Sequence, residues 1–146
     1  METDREHRAA KIMEIMPILQ RVPSPIVFDH LAHIPEPDGI NHPPFGQIRA
    51  LIDKGRTWVK LSGAYADTKI GPPTYADSTA VAQPYVKAAP KRLVWESDWP
   101  HPGERETKPD DAVLFDLLLV WALEEAARHY ILVENPAALY DYPKTS

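Results

Sequence analysis

The sequence has no cysteine among its 146 residues. This absence excludes disulfide bonds, catalysis by a thiolate and zinc sites with cysteine ligands. It fits a cytoplasmic protein without requiring one, and we expect that location. With 44% hydrophobic and 25% charged residues, the composition is ordinary for a soluble protein of one domain.

Long apolar runs and clusters of basic residues are also missing. No run approaches the roughly 20 apolar residues that a membrane helix needs, and the first 16 residues, METDREHRAAKIMEIM, lack the apolar core of a signal peptide. The net charge is −5 and the isoelectric point is near 5.6, whereas phosphate binding requires clustered Lys and Arg. We therefore expect no secretion signal, no membrane contact and no nucleic-acid partner.

Proline is abundant, with 16 residues, about twice its average usage. The prolines stand where apolar segments begin or end, which is typical of boundaries between elements. The intervening periodicity predicts strands at 26–30, 57–63 and 91–98. It predicts helices at 4–20, 45–54, 75–89, 110–123, 124–135 and 136–142, with Pro17 and Pro84 as interruptions and Asn135-Pro136 as the cap and first-turn proline of the last helix.

Alternating strands and helices predict a parallel α/β sheet, in which functional groups lie at the carboxyl ends of the strands. The three strands end in FDH, KLSG and ESDWPH. All three ends carry polar or ionisable residues directly after apolar ones. This arrangement favours a shared site at one edge of the sheet.

Asp98 and His30 are the candidate catalytic residues of that site. Asp98 follows a buried strand, where partial desolvation would prepare its carboxylate to take a proton from water. The alternative is an N-cap or a salt-bridged loop residue. His30 could hydrogen-bond a substrate carbonyl or bind a metal, or it could be a core histidine bonded to a backbone carbonyl.

Lys60, Ser62 and His101 are candidate substrate-binding residues. Lys60 and Ser62 share one face of their strand, so Lys60 could attract an anion in the site or form a surface salt bridge. His101 stands between two prolines, which hold its loop rigid whether or not it touches a ligand. His30, His101 and Asp98 have ligand types suited to zinc, but their spacing matches no compact metal motif, so we expect no cofactor, with a divalent metal such as zinc as the alternative.

Four motifs, IVFDHLA, WVKLSGAY, APKRLVWESDWPHP and ILVENPAALYDY, resemble the amidohydrolase-related (type 2) branch of the amidohydrolase superfamily. The similarity is closest to the 2-pyrone-4,6-dicarboxylate lactonase group. It implies one domain over residues 1–146, in which a leading helix at 1–21 precedes a family-like region at 22–142. The implied fold is the C-terminal part of a (β/α)₈ TIM-type barrel with about three parallel strands.

The resemblance also implies functions for particular residues. Family members hydrolyse lactones, esters or amides, or decarboxylate aromatic acids. In their pattern Asp98 handles the proton of the attacking water, His30 holds or polarises the substrate, and Tyr65 belongs to the substrate-binding segment. Many members use a divalent metal, although the lactonase group is thought to work without one.

The sequence departs from this family in three ways. The His-x-His pair of the first family strand occurs nowhere, Glu96 replaces a glycine before Ser-Asp-Trp, and Ala66 replaces an arginine suited to a substrate carboxylate. We expect a hydrolase of a small anionic lactone or carboxylate ester. The alternative is a truncated, inactive half-barrel that forms a homo-oligomer or pairs with a missing N-terminal half.

Overall fold

The computed structural model describes residues 4–34 and 39–143. The helices are α1 (Asp4–Leu19), α2 (Pro43–Asp53), α3 (Ala76–Ala88), α4 (Asp111–Trp121), α5 (Glu125–His129) and α6 (Asn135–Leu139). The strands are β1 (Ile26–Phe28), β2 (Thr57–Leu61) and β3 (Leu93–Trp95). None of the helices in these ranges has the length and apolar character to span a bilayer.

The three strands form a parallel sheet in the order β1-β2-β3. The prediction of an α/β fold with three parallel strands and flanking helices is therefore confirmed. In the register of the sheet, Lys60 lies opposite Val94 and Leu61 lies opposite Trp95. The residues that follow the strands consequently meet at one edge of the sheet.

Each strand is shorter than predicted. Residues soon after each strand, His30, Gly63 and Asp98, have a positive φ and cannot continue the extended conformation. His30–His33 form a left-handed turn in which φ lies between +50° and +59°. Asp98 also has a positive φ, of +61°. These turns direct the side chains after the strands across the edge of the sheet instead of along the strand axes.

One face of the sheet packs against the helices and forms the core. Val59, Leu61 and Leu93 are fully buried there, in one cluster with α2, α3 and α4 side chains. Strand alternation places Val27, Trp58, Lys60 and Val94 on the opposite face. Among the described residues, β1 and β3 each have a strand partner on one side only.

The end of the chain corrects one predicted helix boundary. Asn135 was predicted as a cap, but it has helical φ and ψ within a continuous helical path from α5 through a π-helical turn, Tyr130–Glu134, into α6. Its side-chain amide instead donates to the carbonyl oxygens of Pro90 (2.8 Å) and Leu93 (2.6 Å). These carbonyls at the start of β3 need donors, which explains why a buried asparagine stands inside a helix.

Candidate functional site

The carboxyl ends of the strands bring His30 and Asp98 together. His30 Nε2 lies 3.4 Å from Asp98 Oδ2, although the residues are far apart in sequence. Their side chains are 19% and 24% exposed, so both are in contact with solvent. The left-handed turn after β1 and the positive φ of Asp98 together produce this approach.

The His30 ring is fixed from its other side by β2. Its Nδ1 lies 2.9 Å from Ser62 Oγ. A Cβ atom on Gly63 would lie 2.6 Å from His30 Cγ, and Gly63 has a φ of +64°. Glycine is therefore required beneath the ring for both space and backbone conformation.

Tyr65 donates a hydrogen bond to Asp98 Oδ2. Burial and this hydrogen bond raise the pKa of the Tyr65 phenol above its ordinary value. The phenol consequently stays protonated at neutral pH and keeps the hydrogen that it donates to Asp98. The predicted substrate-binding tyrosine thus lies directly beside the predicted catalytic carboxylate.

Lys60 lies between two carboxylates at the same edge of the sheet. Its Nζ is 2.8 Å from Asp29 Oδ1 and 2.8 Å from Glu96 Oε2. Burial acts to lower the pKa of Lys60, but the hydrogen bonds and charges of both carboxylates outweigh it, so the pKa lies above its ordinary value. Lys60 thus lies at the same edge as Ser62 and forms ion pairs with Asp29 and Glu96, and its predicted attraction of a substrate anion stays a prediction.

His101 is buried, with 1% of its surface exposed. Its ring meets the Tyr65 ring edge to face at 5.2 Å between centroids, and its Nε2 lies 3.0 Å from Asp111 Oδ1. The structure therefore places His101 behind Tyr65. Its predicted contact with a substrate stays a prediction.

With this geometry, the sequence motifs can be compared with known proteins. The model of the amidohydrolase family matches residues 2–142. The chain belongs to the amidohydrolase family. This confirms the family that the four motifs indicate.

Curated relatives of this chain include two proteins named for lactones and one named for a pyrone dicarboxylate. D-Galactarolactone isomerase of Agrobacterium fabrum is 40% identical over 131 residues, 88% of this chain and 44% of the relative. A 4-sulfomuconolactone hydrolase of Rhizobium radiobacter is 40% identical over 119 residues, 80% of this chain and 40% of the relative. A 2-pyrone-4,6-dicarboxylate hydrolase of Comamonas testosteroni is 26% identical over 140 residues, 90% and 46% of the two chains.

A crystal structure of an Agrobacterium tumefaciens protein, solved in the apo state, has the same fold. It is 38% identical, with a TM-score of 0.85, over 94% of this chain and 49% of that one. This amidohydrolase thus spans about half the length of the relatives and of the solved structure it matches. The prediction of a partial TIM-type barrel is confirmed.

A metal is common in the wider superfamily, but the donors described for this amidohydrolase do not assemble one site. Across residues 4–34 and 39–143, no three His, Asp or Glu side chains converge in a way that could hold a metal ion. His30 and Asp98 face each other, whereas His101, the third proposed ligand, faces Asp111. No step of the reaction proposed below therefore involves a metal.

Sequence reasoning missed a second histidine at the site. His33 Nδ1 lies 2.6 Å from Asp67 Oδ2, and the His30 and His33 rings meet edge to face with centroids 5.3 Å apart. In the sequence, His33 follows the predicted strand in a segment with no recognisable motif. Only the left-handed turn, which the sequence does not signal, brings the two histidines together.

Proposed function

We propose that this site hydrolyses a small lactone or related carboxylate ester by activating water at Asp98. One observation carries the proposal: Asp98 Oδ2 accepts a hydrogen bond from Tyr65 and lies 3.4 Å from His30 Nε2, at the carboxyl ends of parallel strands. A base, a proton donor and a ring nitrogen are thus gathered where this fold class carries its chemistry. The lactone-acting relatives support the same substrate class.

The proposed reaction needs one water and no other reactant. Water oxygen bonds to the carbonyl carbon while Asp98 accepts a water proton, and His30 orients the reactants beside Asp98. The bond between the carbonyl carbon and the ring oxygen then breaks, and the ring oxygen receives the proton to become a hydroxyl. The products are the hydroxy acid and a regenerated Asp98 carboxylate.

The surroundings of Lys60 bear on the anionic part of the substrate. The two carboxylates of Asp29 and Glu96 already more than compensate the single positive charge of Lys60. A substrate carboxylate must therefore compete with both. We propose that lactones with no more than one negative charge are preferred over dianions. Ser62 positions His30, and His101 supports Tyr65 from behind.

Asp98→Asn is the first test, with Asp116→Asn on the exposed face of α4 as the matched control. We expect Asp98→Asn to lower the turnover of a responsive lactone by about 10²- to 10⁴-fold, the usual contribution of a general base. Asp116→Asn should leave turnover unchanged. Following a panel of neutral and monoanionic lactones by proton NMR detects both ring opening and isomerisation of the lactone bond.

The possible outcomes decide between functions. Equal turnover by wild type and Asp98→Asn would contradict the role of Asp98. Absence of turnover by the wild-type chain would favour the second candidate function. Isomerisation without ring opening would mean that a substrate hydroxyl, not water, attacks the carbonyl.

The second candidate is an inactive half-barrel that pairs with a further copy or with a complementary half. Two observations favour it: the chain spans 40% to 46% of its relatives, and the two outer strands have unpaired sides in the described residues. Unpaired strand edges invite association. In this case the strand-end residues would become active only in the assembly.

A further inference from the structure

The Ser62 hydroxyl lies between Glu96 and His30. Its oxygen is 3.2 Å from Glu96 Oε1 and 2.9 Å from His30 Nδ1. The second oxygen of Glu96, Oε2, is 2.8 Å from Lys60 Nζ. The strand-end residues thus form a continuous series of polar contacts from Lys60 through Glu96 and Ser62 to His30.

Proton counting fixes the direction of these hydrogen bonds. An ionised carboxylate only accepts hydrogen bonds, and a serine hydroxyl has one hydrogen to donate. The Ser62 hydroxyl donates its hydrogen to Glu96 Oε1, the only direction open to it when the carboxyl is a carboxylate, its ordinary form at neutral pH. Ser62 Oγ must then accept from His30, which requires that His30 carry its proton on Nδ1.

This assignment determines what His30 presents to Asp98. In the neutral ring Nε2 then holds a lone pair, which faces Asp98 Oδ2 at 3.4 Å. Two acceptors that converge at this distance both attract a proton from one donor, such as a water molecule. With the opposite tautomer, Nε2–H would donate to Asp98 and occupy the base.

We propose that Glu96 is a positioning residue that, through Ser62, fixes the proton of neutral His30 on Nδ1 and leaves Nε2 free beside Asp98. The inference rests on the proposed function for its catalytic meaning, because Glu96 and Ser62 act through His30 and touch no reacting atom. It assigns a role to Glu96, which stands where the family motif has a glycine. Lys60 belongs to the same arrangement, since its Nζ contacts the second oxygen of Glu96 and leaves Oε1 facing Ser62.

The test reads the tautomer directly and needs no turnover. Nitrogen-15 NMR of histidine-labelled protein, recorded well above the ordinary imidazole pKa of about 6.5, distinguishes protonated from unprotonated ring nitrogens. The His30 signals are assigned by their loss in His30→Gln. In the wild type we expect a protonated Nδ1 and an unprotonated Nε2.

Glu96→Gln should reverse this pattern. A glutamine amide can donate to Ser62 Oγ, which frees the Ser62 hydrogen for His30 Nδ1 and moves the ring proton to Nε2. Glu14→Gln, on the exposed surface of α1, is the matched control and should keep the wild-type pattern. Ser62→Ala should remove the preference and give a mixture of both tautomers.

Unchanged His30 tautomers in Glu96→Gln would overturn the proposal, as would a wild-type ring with its proton on Nε2. If Glu96→Gln does not fold, the wild-type spectrum and Ser62→Ala still decide, because an unaltered tautomer in Ser62→Ala would equally overturn it. The result is separate from that of Asp98→Asn. A fixed Nδ1 proton with no effect of Asp98→Asn would reject the hydrolase function and keep the positioning role.

Discussion

Glu96 shows how a single residue can break a family motif without leaving a buried charge unpaired. An isolated ionised carboxylate in the interior is costly. Here Lys60 and Ser62 each contact one of its oxygens, so the charge is compensated on both sides. The sequence alone indicates this cost, but the compensation depends on the sheet register that places Lys60 beside β3.

Gly63 yields a prediction at the residue scale. We expect Gly63→Ala to displace the His30 ring, because the new Cβ would overlap it, and to lower the free energy of unfolding by about 1–3 kcal/mol. Gly71→Ala is the matched control, since Gly71 also has a positive φ, of +77°, but nothing lies within 4 Å of its added Cβ. Urea unfolding measures both changes, and His30 NMR signals report the displacement.

The comparison separates backbone strain from contact with the ring. If both alanine variants lose equal stability and keep the wild-type His30 signals, the close packing of Gly63 against His30 is refuted. A larger loss for Gly63→Ala, with shifted His30 signals, supports it.

The strand-end residues of the site could be predicted because they follow from strand alternation and a parallel sheet. Asp98, His30, Ser62 and Lys60 all follow this logic, and the structure places them at one edge. The contact between His33 and Asp67 does not follow from it, because a run of left-handed residues carries no clear sequence signal. The burial of His101 could not be predicted from the sequence either, since it depends on where Tyr65 and α4 lie.

At the scale of elements, Asp77 joins the loop after β2 to the first turn of α3. Its carboxylate accepts hydrogen bonds from Thr68 Oγ1 at 2.6 Å, from Lys69 N at 2.6 Å and from Ser78 N at 3.0 Å. Burial acts to raise the pKa of Asp77, but these hydrogen bonds prevail and hold it below its ordinary value. The ionised form is therefore the one that the folded chain favours.

This shift predicts how stability depends on pH. A carboxyl whose pKa is lower in the folded state contributes stability that is present above its unfolded pKa of about 3.9 and is lost as pH falls through the folded value. We expect Asp77→Asn to cost about 1–3 kcal/mol near neutral pH, because charged hydrogen bonds are replaced by weaker ones. The cost should shrink as the pH falls below about 4.

Urea unfolding of wild type and Asp77→Asn across this range checks the prediction. Asp116→Asn removes an exposed carboxylate from α4 and should show little change at any pH. A destabilisation by Asp77→Asn that stays constant down to acid pH would contradict the hydrogen-bonded carboxylate.

Element types were predictable, whereas several boundaries were not. Apolar periodicity predicts β1, β2, β3 and the main helices, and the helix predicted from residue 110 is capped by Asp110, which accepts a hydrogen bond from Ala112 N at 2.8 Å. The ends of the strands and the place of Asn135 depend on tertiary contacts. Asn135 looks like a cap in sequence because the carbonyls it binds, at Pro90 and Leu93, are distant along the chain.

At the scale of the molecule, the described sheet has one helix-covered face and two outer strands. On the other face Trp58 and Val94 are buried, but Val27 on the outer strand β1 is 37% exposed, and β1 has no strand partner on its outer side among the described residues. A closed barrel would cover such a face and remove both edges. We therefore expect the chain to associate in solution, with itself or with a complementary half.

Light scattering tests this expectation. We predict a mass of at least two chains of 16.5 kDa for the purified protein and a smaller mass for Val27→Lys, because a lysine would place a charge at the surface through which the copies associate. Ile18→Lys, at a 63% exposed position on α1, is the matched control and should leave the mass unchanged. A heat-stable monomer of wild type would count against the half-barrel assembly.

The left-handed turn at His30–His33 also limits which substitutions can be accepted in this segment during evolution. Four consecutive residues with φ near +50° to +59° each cost about 1–2 kcal/mol relative to a right-handed conformation. Branching at Cβ makes that conformation harder still, so valine, isoleucine and threonine are excluded at Leu31 and Ala32. Neutral variation at Leu31 and Ala32 is therefore confined to residues that are not branched at Cβ. A β-branched substitution would displace the His30 side chain even though the histidine itself is retained.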